Sequence, residues 1–295
     1  MPGNTIYLRG IGNYYAPVED KPAELKALVK EATGDAVRRV GRFIQMALVG
    51  AGRCVAGRKL PPETGVYFTS GRGDLEVTIE VMEELFRDGH PPKPLNFINT
   101  VSNAACFYVA KQFGLHGRST FLGNSFFSFE TALQLAMLDL ELGDVKSALV
   151  GSVDIVVPPV ELHRRRLKIA PETPVAEGAH WLWLSAEKGE GARGAVQAAE
   201  FFTGRDALIA WVAKQDLNAN ETLIAAGQFL SDADLAEIKK ASGLTRDFAY
   251  RDSLSYYDSQ SGAAVAAFLE SKTGEVLLHV NADPDGRCAA FIIRK

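Results

Sequence analysis

Three cysteines and five histidines are the side chains of this 295-residue chain best suited to act as nucleophiles, bases or metal ligands. Cys54, Cys106 and Cys288 are far apart and odd in number, which argues against a disulfide framework and a metal site. Cys106 lies in an apolar helical run, Ala104–Ala110, and is interpreted as a small buried hydrophobe. The histidines are dispersed, which favours core or surface roles over catalysis. They are His90, His116, His163, His180 and His279.

Two serines offer a different nucleophile, because Ser125 and Ser128 flank Phe126 in a short stretch between two apolar runs. A serine hydroxyl attacks only when a base lies close enough to take its proton, and the sequence identifies no such base. Ser125 therefore remains an alternative nucleophile, as in a divergent acyltransferase or hydrolase.

The segment Ser119–Asp154 would position these residues. Thr120–Leu122 predicts a short strand, Gly123-Asn124 a tight turn, and Phe129–Leu142, which is apolar almost all round, a buried helix. Ser147–Val157, rich in β-branched residues, predicts a second strand. A helix this apolar belongs at the centre of a layered α/β protein, so residues 124–128 would lie at the mouth of the core.

The rest of the chain alternates predicted strands with predicted helices, which is typical of a layered α/β fold. The further strands are Thr5–Gly10, Gly65–Thr69, His180–Ser185, Ala195–Phe201, Thr222–Ala226, Glu275–Asn281 and Cys288–Ile293. The further helices are Ala23–Glu31, Ala36–Val55, Leu75–Arg87, Asn103–Phe113, Ala207–Leu217, Asp232–Ala241 and Ser259–Ser271. A polar linker is expected after Val157, and a charged joint at Lys188–Arg193.

The composition of the chain argues against nucleic-acid binding and binding to a membrane surface. The chain is 47% hydrophobic with a net charge of -4, so it can bury a core and has no basic field for nucleic acid or a membrane surface. Basic clusters at Arg38–Arg42 and Arg164–Lys168 are interpreted as solvated faces, with an acidic partner protein as the alternative. No window could span a bilayer and the start lacks a signal peptide, so we expect a cytoplasmic protein.

The segment Ser119–Asp154 resembles the nucleophile region of the β-ketoacyl synthases, the condensing enzymes of fatty-acid and polyketide synthesis. Ala132, Ala136, Gly143 and the run Ala148–Gly151 fall at the offsets of that family. Other stretches are similar to family segments in the same order along the chain. They are Asn99–Arg118, the Glu177–Ala179 turn, Gly227 with Asp234 and Glu237, and Gly286 with Cys288–Ile293.

The resemblance implies an α/β fold of the thiolase-like, layered αβαβα type, built from two intimately packed halves. The halves would be residues 1–187 and a shortened second half, residues 188–295.

The same resemblance implies that the reactive groups of the family are missing. Counting back from Ala132, Phe126 takes the position of the nucleophilic cysteine, and a benzyl side chain cannot carry an acyl group. Ala226 takes the place of the first catalytic histidine, immediately before Gly227. The segment Ser253–Gly262 contains neither the lysine nor the second histidine of the family. We therefore expect no catalytic residue, no cofactor and no metal.

Two structural roles follow from the resemblance. Phe126, Phe127 and Phe129 would pack in the core, or would plug or line the tunnel that holds a growing chain. The strand before the nucleophile turn would pair across a dimer axis. Its residues are Ser119, Thr120, Phe121, Leu122 and Gly123.

A condensing-enzyme scaffold without its reactive groups resembles the chain-length factors, which pair with an active ketosynthase. The hypothesis is a non-catalytic subunit of a heterodimeric β-ketoacyl synthase, in a polyketide, aryl-polyene-like or fatty-acid-type pathway. An acyl carrier protein would visit its partner. The alternatives are the enzyme that uses Ser125 and a homodimer that binds acyl chains or carrier protein.

Overall fold

In the computed structural model, which describes residues 5–295, nine strands form one mixed sheet. The strands are β1 (Ile6–Val18), β2 (Gly65–Ser70), β3 (Ser119–Gly123), β4 (Ser147–Asp154), β5 (Val175–Ser185), β6 (Gly194–Phe202), β7 (Thr222–Ala226), β8 (Val276–Ala282) and β9 (Cys288–Arg294). Their order across the sheet is β3-β2-β4-β5-β1-β6-β9-β8-β7. Strands β1 to β5 are therefore contiguous on one side of the β1–β6 pairing, and β6 to β9 on the other.

Ten α-helices accompany the sheet within the described residues. They are α1 (Lys26–Thr33), α2 (Arg42–Val55), α3 (Leu75–Phe86), α4 (Pro94–Asn99), α5 (Ala104–Phe113), α6 (Ser128–Leu142), α7 (Val160–Leu167), α8 (Arg205–Val212), α9 (Asp232–Ser242) and α10 (Ser261–Glu270).

The helices α6 and α10 form the central layer. Helix α6 contacts β2 and β4 as well as β6 and β9, which are far apart in the strand order, so the sheet must bend around it. Helix α10 contacts β5, β1 and β8. Small residues allow this close packing, since a methyl group built on Gly262 would fall 2.6 Å from Cβ of His180.

Outer helices complete the layers: α2 packs on β1, β4 and β5, while α8 packs on β6 and β9. Every residue of β2, β4 and β5 is buried, as expected for strands covered on both faces. The two arms of this bent sheet, with helices between and outside them, give the layer order helix, sheet, helix, sheet, helix, which confirms the predicted layered α/β fold. The second half contributes fewer strands than the first.

Strand β3 lies at the end of the sheet, hydrogen-bonded in parallel to β2. Helix α5 and helix α6 pack on its opposite faces, with Phe121 next to the α5 side of the core and Leu122 next to the α6 side. The backbone bonds from Val66 N to Arg118 O and from Asn124 N to Ser70 O fix the alternation of the ladder. Because successive N–H groups alternate in direction, those of Ser119, Phe121 and Gly123 face away from β2.

Three predicted elements were wrong. Strand β1 does not end at Gly10 but continues to Val18. The glycines of this stretch permit a close helix approach rather than a turn, because a methyl group on Gly12 would fall 2.0 Å from the carbonyl oxygen of Gly50 on α2. The stretch after Val157, predicted as a linker, forms helix α7, whose buried Val160, His163 and Leu167 give it an apolar face.

The third error concerns Glu177–Ala179, which lies inside β5 rather than in a turn. Gly178 makes room for Tyr257, whose ring would be 2.4 Å from a methyl group at that position. Glu177 is buried and forms an ion pair with Arg42. The remaining predicted strands and helices are present, with bounds that differ mainly at their ends.

Candidate functional site

The turn between β3 and α6 is held by the side chain of Asn124. Its Oδ1 accepts hydrogen bonds from the backbone N–H groups of Phe126, at 3.1 Å, and Phe127, at 3.2 Å. Its Nδ2 donates to Thr131 Oγ1 at 3.1 Å, in the first turn of the helix. The Ser128 hydroxyl donates to the Asn124 carbonyl oxygen. The asparagine thus fixes the two residues that immediately precede α6 and presents Phe126 at the N-terminus of this helix.

Phe126 is half-buried, and its ring meets that of Phe229 edge to face with a centroid distance of 5.3 Å. Phe229 borders a surface cavity of about 780 Å³ between the start of α8 and the β8–β9 loop. The carbonyl oxygen of Phe126 accepts a hydrogen bond from Asn281 Nδ2, on β8, at 3.2 Å. Position 126 therefore lies between a cavity and the last strands of the sheet.

The two other positions singled out in the sequence lie close to the same point. Ala226 ends β7, and the N–H of Gly227 donates to Val280 O at 2.6 Å, so this segment packs against Asn281. The segment Ser253–Gly262 runs into α10, whose Ser261 hydroxyl donates to Glu130 Oε1 at 2.6 Å. The fold thus brings Phe126, Ala226 and the start of α10 together.

A buried polar cluster lies behind the turn, and sequence reasoning missed it. Glu130 Oε1 also accepts a hydrogen bond from Asn281 Nδ2 at 3.0 Å and lies 3.9 Å from His279 Nδ1. The Tyr250 hydroxyl meets His279 Nε2 at 3.0 Å. Two features of the sequence could have indicated this cluster. One is Glu130, a charged residue in the first turn of a mostly apolar helix, and the other is the presence of His279 and Asn281 in the apolar strand Val276–Ala282.

Burial is the largest influence on the pKa values of the two titratable groups in this cluster, Glu130 and His279. Burial raises the pKa of Glu130 and lowers the pKa of His279 to about 3, so the imidazole is neutral at physiological pH. Hydrogen bonds from Ser261 and Asn281 lower the pKa of Glu130 and so oppose the effect of burial. The residues therefore form a hydrogen-bonded brace between the central helices and β8.

The predicted tunnel residues are divided between core and surface. Phe129 is fully buried against Phe291, and Phe127 packs edge to face on Phe201 at 5.5 Å. Phe126 contacts Phe229, which lines the cavity described above. Their role in shaping a tunnel remains a prediction.

The candidate nucleophiles lie in unreactive surroundings. The Ser125 hydroxyl donates to the carbonyl oxygen of Gly71 at 3.1 Å. Cys106 is 2% exposed and burial raises its pKa to about 12, which leaves a neutral thiol at pH 7. Cys54 and Cys288 are also buried. His180, predicted as the first residue of a strand, lies inside β5 between Asn13 and Tyr257, where burial lowers its pKa to about 3.

Among residues 5–295 there is no group of three or more His, Cys, Asp or Glu side chains arranged to hold a metal ion. No helix in the same range is long and apolar enough to cross a membrane.

Comparison with known proteins agrees with this architecture. The family model of the β-ketoacyl synthase N-terminal domain matches residues 11–166, slightly more than half of the chain. No curated protein sequence matches the chain significantly.

Solved structures align over almost the whole chain. The ishigamide ketosynthase/chain length factor is 17% identical, with a TM-score of 0.75 over 98% of this chain and 99% of that one. A β-ketoacyl synthase from Burkholderia phymatum STM815 is 12% identical, with a TM-score of 0.74 over 99% of both chains. A type II polyketide ketosynthase complex with its acyl carrier protein is 14% identical, with a TM-score of 0.72 over 99% of both chains. At these identities the likeness establishes the fold.

Proposed function

The chain belongs to the β-ketoacyl synthase family, and on that basis we propose that it is a non-catalytic subunit resembling a chain-length factor. It would pair with an active ketosynthase, whose acyl carrier protein delivers the substrate. The pathway would be of the polyketide, aryl-polyene-like or fatty-acid type.

The observation that carries the proposal is the turn at Phe126. The covalent step of condensation needs a nucleophilic atom at this helix N-terminus, and a benzyl group has none. The oxyanion formed during decarboxylation needs hydrogen-bond donors, and the methyl group of Ala226 cannot supply one. Asn281 is already engaged with Phe126 O and Glu130 Oε1, so its amide group holds the turn together.

The surface around β3 supports pairing with a partner of the same fold. An edge strand exposes N–H and C=O groups that readily pair with another strand. Helices α5 and α6 pack on β3, and α4 packs on α5 and α3. These four helices carry exposed apolar side chains. They include Phe86, 78% exposed, Phe97 and Phe107, each 60% exposed, and Leu142, 75% exposed. So many exposed apolar groups are typical of a covered interface rather than a free surface.

The experiment combines a chemical and an assembly measurement. The purified chain is incubated with acyl and malonyl thioesters of an acyl carrier protein, and its intact mass and the released CO2 are measured. We expect no mass increase and no CO2. Co-expressed with a ketosynthase encoded beside it, the chain should elute as a stable heterodimer that condenses malonyl units.

Other outcomes would contradict the proposal. Stoichiometric acylation of Ser125 would identify a divergent acyltransferase or hydrolase. A homodimer that binds carrier protein, and that no ketosynthase displaces, would identify the binding module.

A further inference from the structure

Two buried carboxyl groups meet underneath the turn, one from each half of the chain. Asp154 ends β4, and Asp258 lies in the loop before α10. Asp154 is 7% exposed, and the side chain of Asp258 is 2% exposed. Carboxyl groups are seldom buried to this extent unless they are paired or protonated.

Both carboxyl groups contact the loop that follows β2. Asp154 Oδ1 accepts hydrogen bonds from the Ser70 hydroxyl at 2.8 Å and from the Gly71 N–H at 2.9 Å. Asp258 also lies against Gly71, since a methyl group built there would fall 2.2 Å from Asp258 Oδ2. The loop is thus clamped between an acid of the first half and an acid of the second.

The clamped loop in turn supports the turn at Phe126. Gly71 O accepts the hydrogen bond from Ser125, and Ser70 O accepts one from the N–H of Asn124 at 3.2 Å. Asn124 is the residue whose side chain fixes Phe126 and Phe127. A change at the two acids is therefore connected to the turn through two residues of backbone.

The charges around the two acids do not balance. Arg72 Nε lies 3.1 Å from Asp258 Oδ2, and among the described residues it is the one cation within ion-pair distance of either acid. The Tyr256 hydroxyl donates to Asp258 Oδ1 at 2.9 Å. Asp154 receives hydrogen bonds but no cation. Two ionised carboxylates and one guanidinium would leave a net negative charge in a buried site.

Other titratable or charged groups face this region from α7, from β5 and from the loop of Asp258. They are His163, Arg164, Arg166, Glu177, His180 and Tyr257. His163 and His180 are neutral near pH 7, because burial lowers their pKa to about 4 and about 3. Glu177 is paired with Arg42. None of these groups supplies the missing positive charge to Asp154.

We propose that Asp154 and Asp258 form a pH-sensitive clamp, which holds the β2–α3 loop and the turn at Phe126 while Asp154 carries a proton and loosens both when that proton is lost.

The direction of the effect follows from linkage. Burial, with the charge of Asp258 in second place, raises the pKa of Asp154 to about 7, whereas a solvated aspartate in the open state has its ordinary pKa of 3.8. The closed clamp is therefore most stable below about pH 4, weakens as the pH rises towards 7, and changes little above that. Between pH 6 and pH 8 the opening equilibrium should increase about tenfold.

The test is amide hydrogen exchange of the full chain at pH 6 and pH 8, after correction for the intrinsic pH dependence of exchange. Peptides that cover residues 70–73 and 124–128 should show the roughly tenfold increase in opening. Asp154→Asn, which keeps an acceptor oxygen and mimics the protonated acid, should abolish the increase. Asp206→Asn is the matched control, since the side chain of Asp206 is 98% exposed, and it should behave like the wild type.

A wild type without the excess increase, or an Asp154→Asn variant that retains it, would overturn the clamp. If Asp154→Asn does not fold, the Asp258→Asn variant provides the test of the clamp. Removing its charge makes ionisation of Asp154 easier, so the rise in opening should move to lower pH, and an unmoved rise would refute the proposal. The measurement needs no partner subunit, so its outcome is independent of the function proposed above.

Discussion

At residue 126 a phenylalanine ring lies at the N-terminus of a buried helix, where backbone N–H groups and the helix dipole favour a thiolate. If Phe126 takes the nucleophile position, as proposed, the environment that would activate a nucleophile is retained and the nucleophilic atom is not. Asn124 and Asn281 hold the backbone on either side of this position. Whether the turn can still activate a nucleophile can thus be tested by placing a thiol at position 126.

Phe126→Cys should create a reactive thiol without creating a condensing enzyme. The new cysteine would react with iodoacetamide faster than Cys106, which is buried and has a pKa raised to about 12. No malonyl condensation is expected, because under the proposed function Ala226 and Ser253–Gly262 stand where the family has its catalytic histidines, and neither contains a histidine. Phe126→Ala is the control for cavity formation. Condensation by the Cys variant alone would show that other residues complete the site.

Glu130 should matter for stability through its hydrogen bonds rather than its charge. Glu130→Ala removes the acceptor of Ser261 and Asn281 inside the core, and we expect a loss of about 3 kcal/mol in the free energy of unfolding. Glu130→Gln keeps an acceptor oxygen and should cost about 1 kcal/mol or less. Urea denaturation measures both. Equal losses in the two variants would instead assign the stabilisation to the carboxylate charge.

At the scale of elements, the exposed edge of β3 is the feature most directly linked to assembly. Its side chains pack on α5 and α6, but the backbone groups on the side away from β2 have no strand beside them within the described chain. Adding a partner strand there would extend the sheet and cover the flanking apolar side chains. Pairing of β3 with a partner strand can therefore be blocked by removing one outward backbone N–H group.

Ser119→Pro should prevent heterodimer formation and leave the chain folded. Proline removes the outward N–H of an exposed residue, while the hydrogen bonds to β2 use the alternate residues. Ser119→Ala, which keeps that N–H, is the matched control and should dimerise normally. Analytical ultracentrifugation with the co-expressed ketosynthase measures the effect, expected as at least a tenfold weaker association. Equal association of both variants would exclude β3 from the interface.

At the scale of the molecule, the two proposed halves, residues 1–187 and 188–295, share one core. Leu133 and Ala136 of α6 lie in the same buried cluster as Ala264 of α10, Leu277 of β8 and Phe291 of β9. The clamp and the Glu130 brace also join residues from both sides of the proposed boundary. Neither half could bury its face of the central layer without the other.

The full chain should accordingly unfold in a single cooperative transition. In a Trp211→Phe variant the remaining indoles, Trp181 and Trp183, report on β5 in the first half. Their fluorescence and the far-ultraviolet circular dichroism of the whole chain should show the same urea midpoint. Two separated midpoints would mean that the halves are stable independently.

Local patterns made the central strand, turn and helix predictable. The apolar run, the Gly123-Asn124 pair and the nearly all-round apolar helix each depend on neighbours in sequence, and β3 and α6 occur within one or two residues of the prediction. The errors at Gly10 and Gly178 have one cause. A glycine is required both in turns and where another element approaches closely, and only the tertiary structure distinguishes the two cases.

The sequence by itself therefore determined the layered α/β class and the family, because these depend on residue type and local spacing. It also predicts that Phe126 replaces the nucleophile. Only the tertiary structure decided that β3 is an edge, that Glu130 meets Ser261 and Asn281, and that Asp154 meets the loop of Asp258. These contacts join residues more than a hundred positions apart in the chain. Such pairs leave no periodic signal in the sequence, since their proximity is produced by the packing of both halves around α6 and α10.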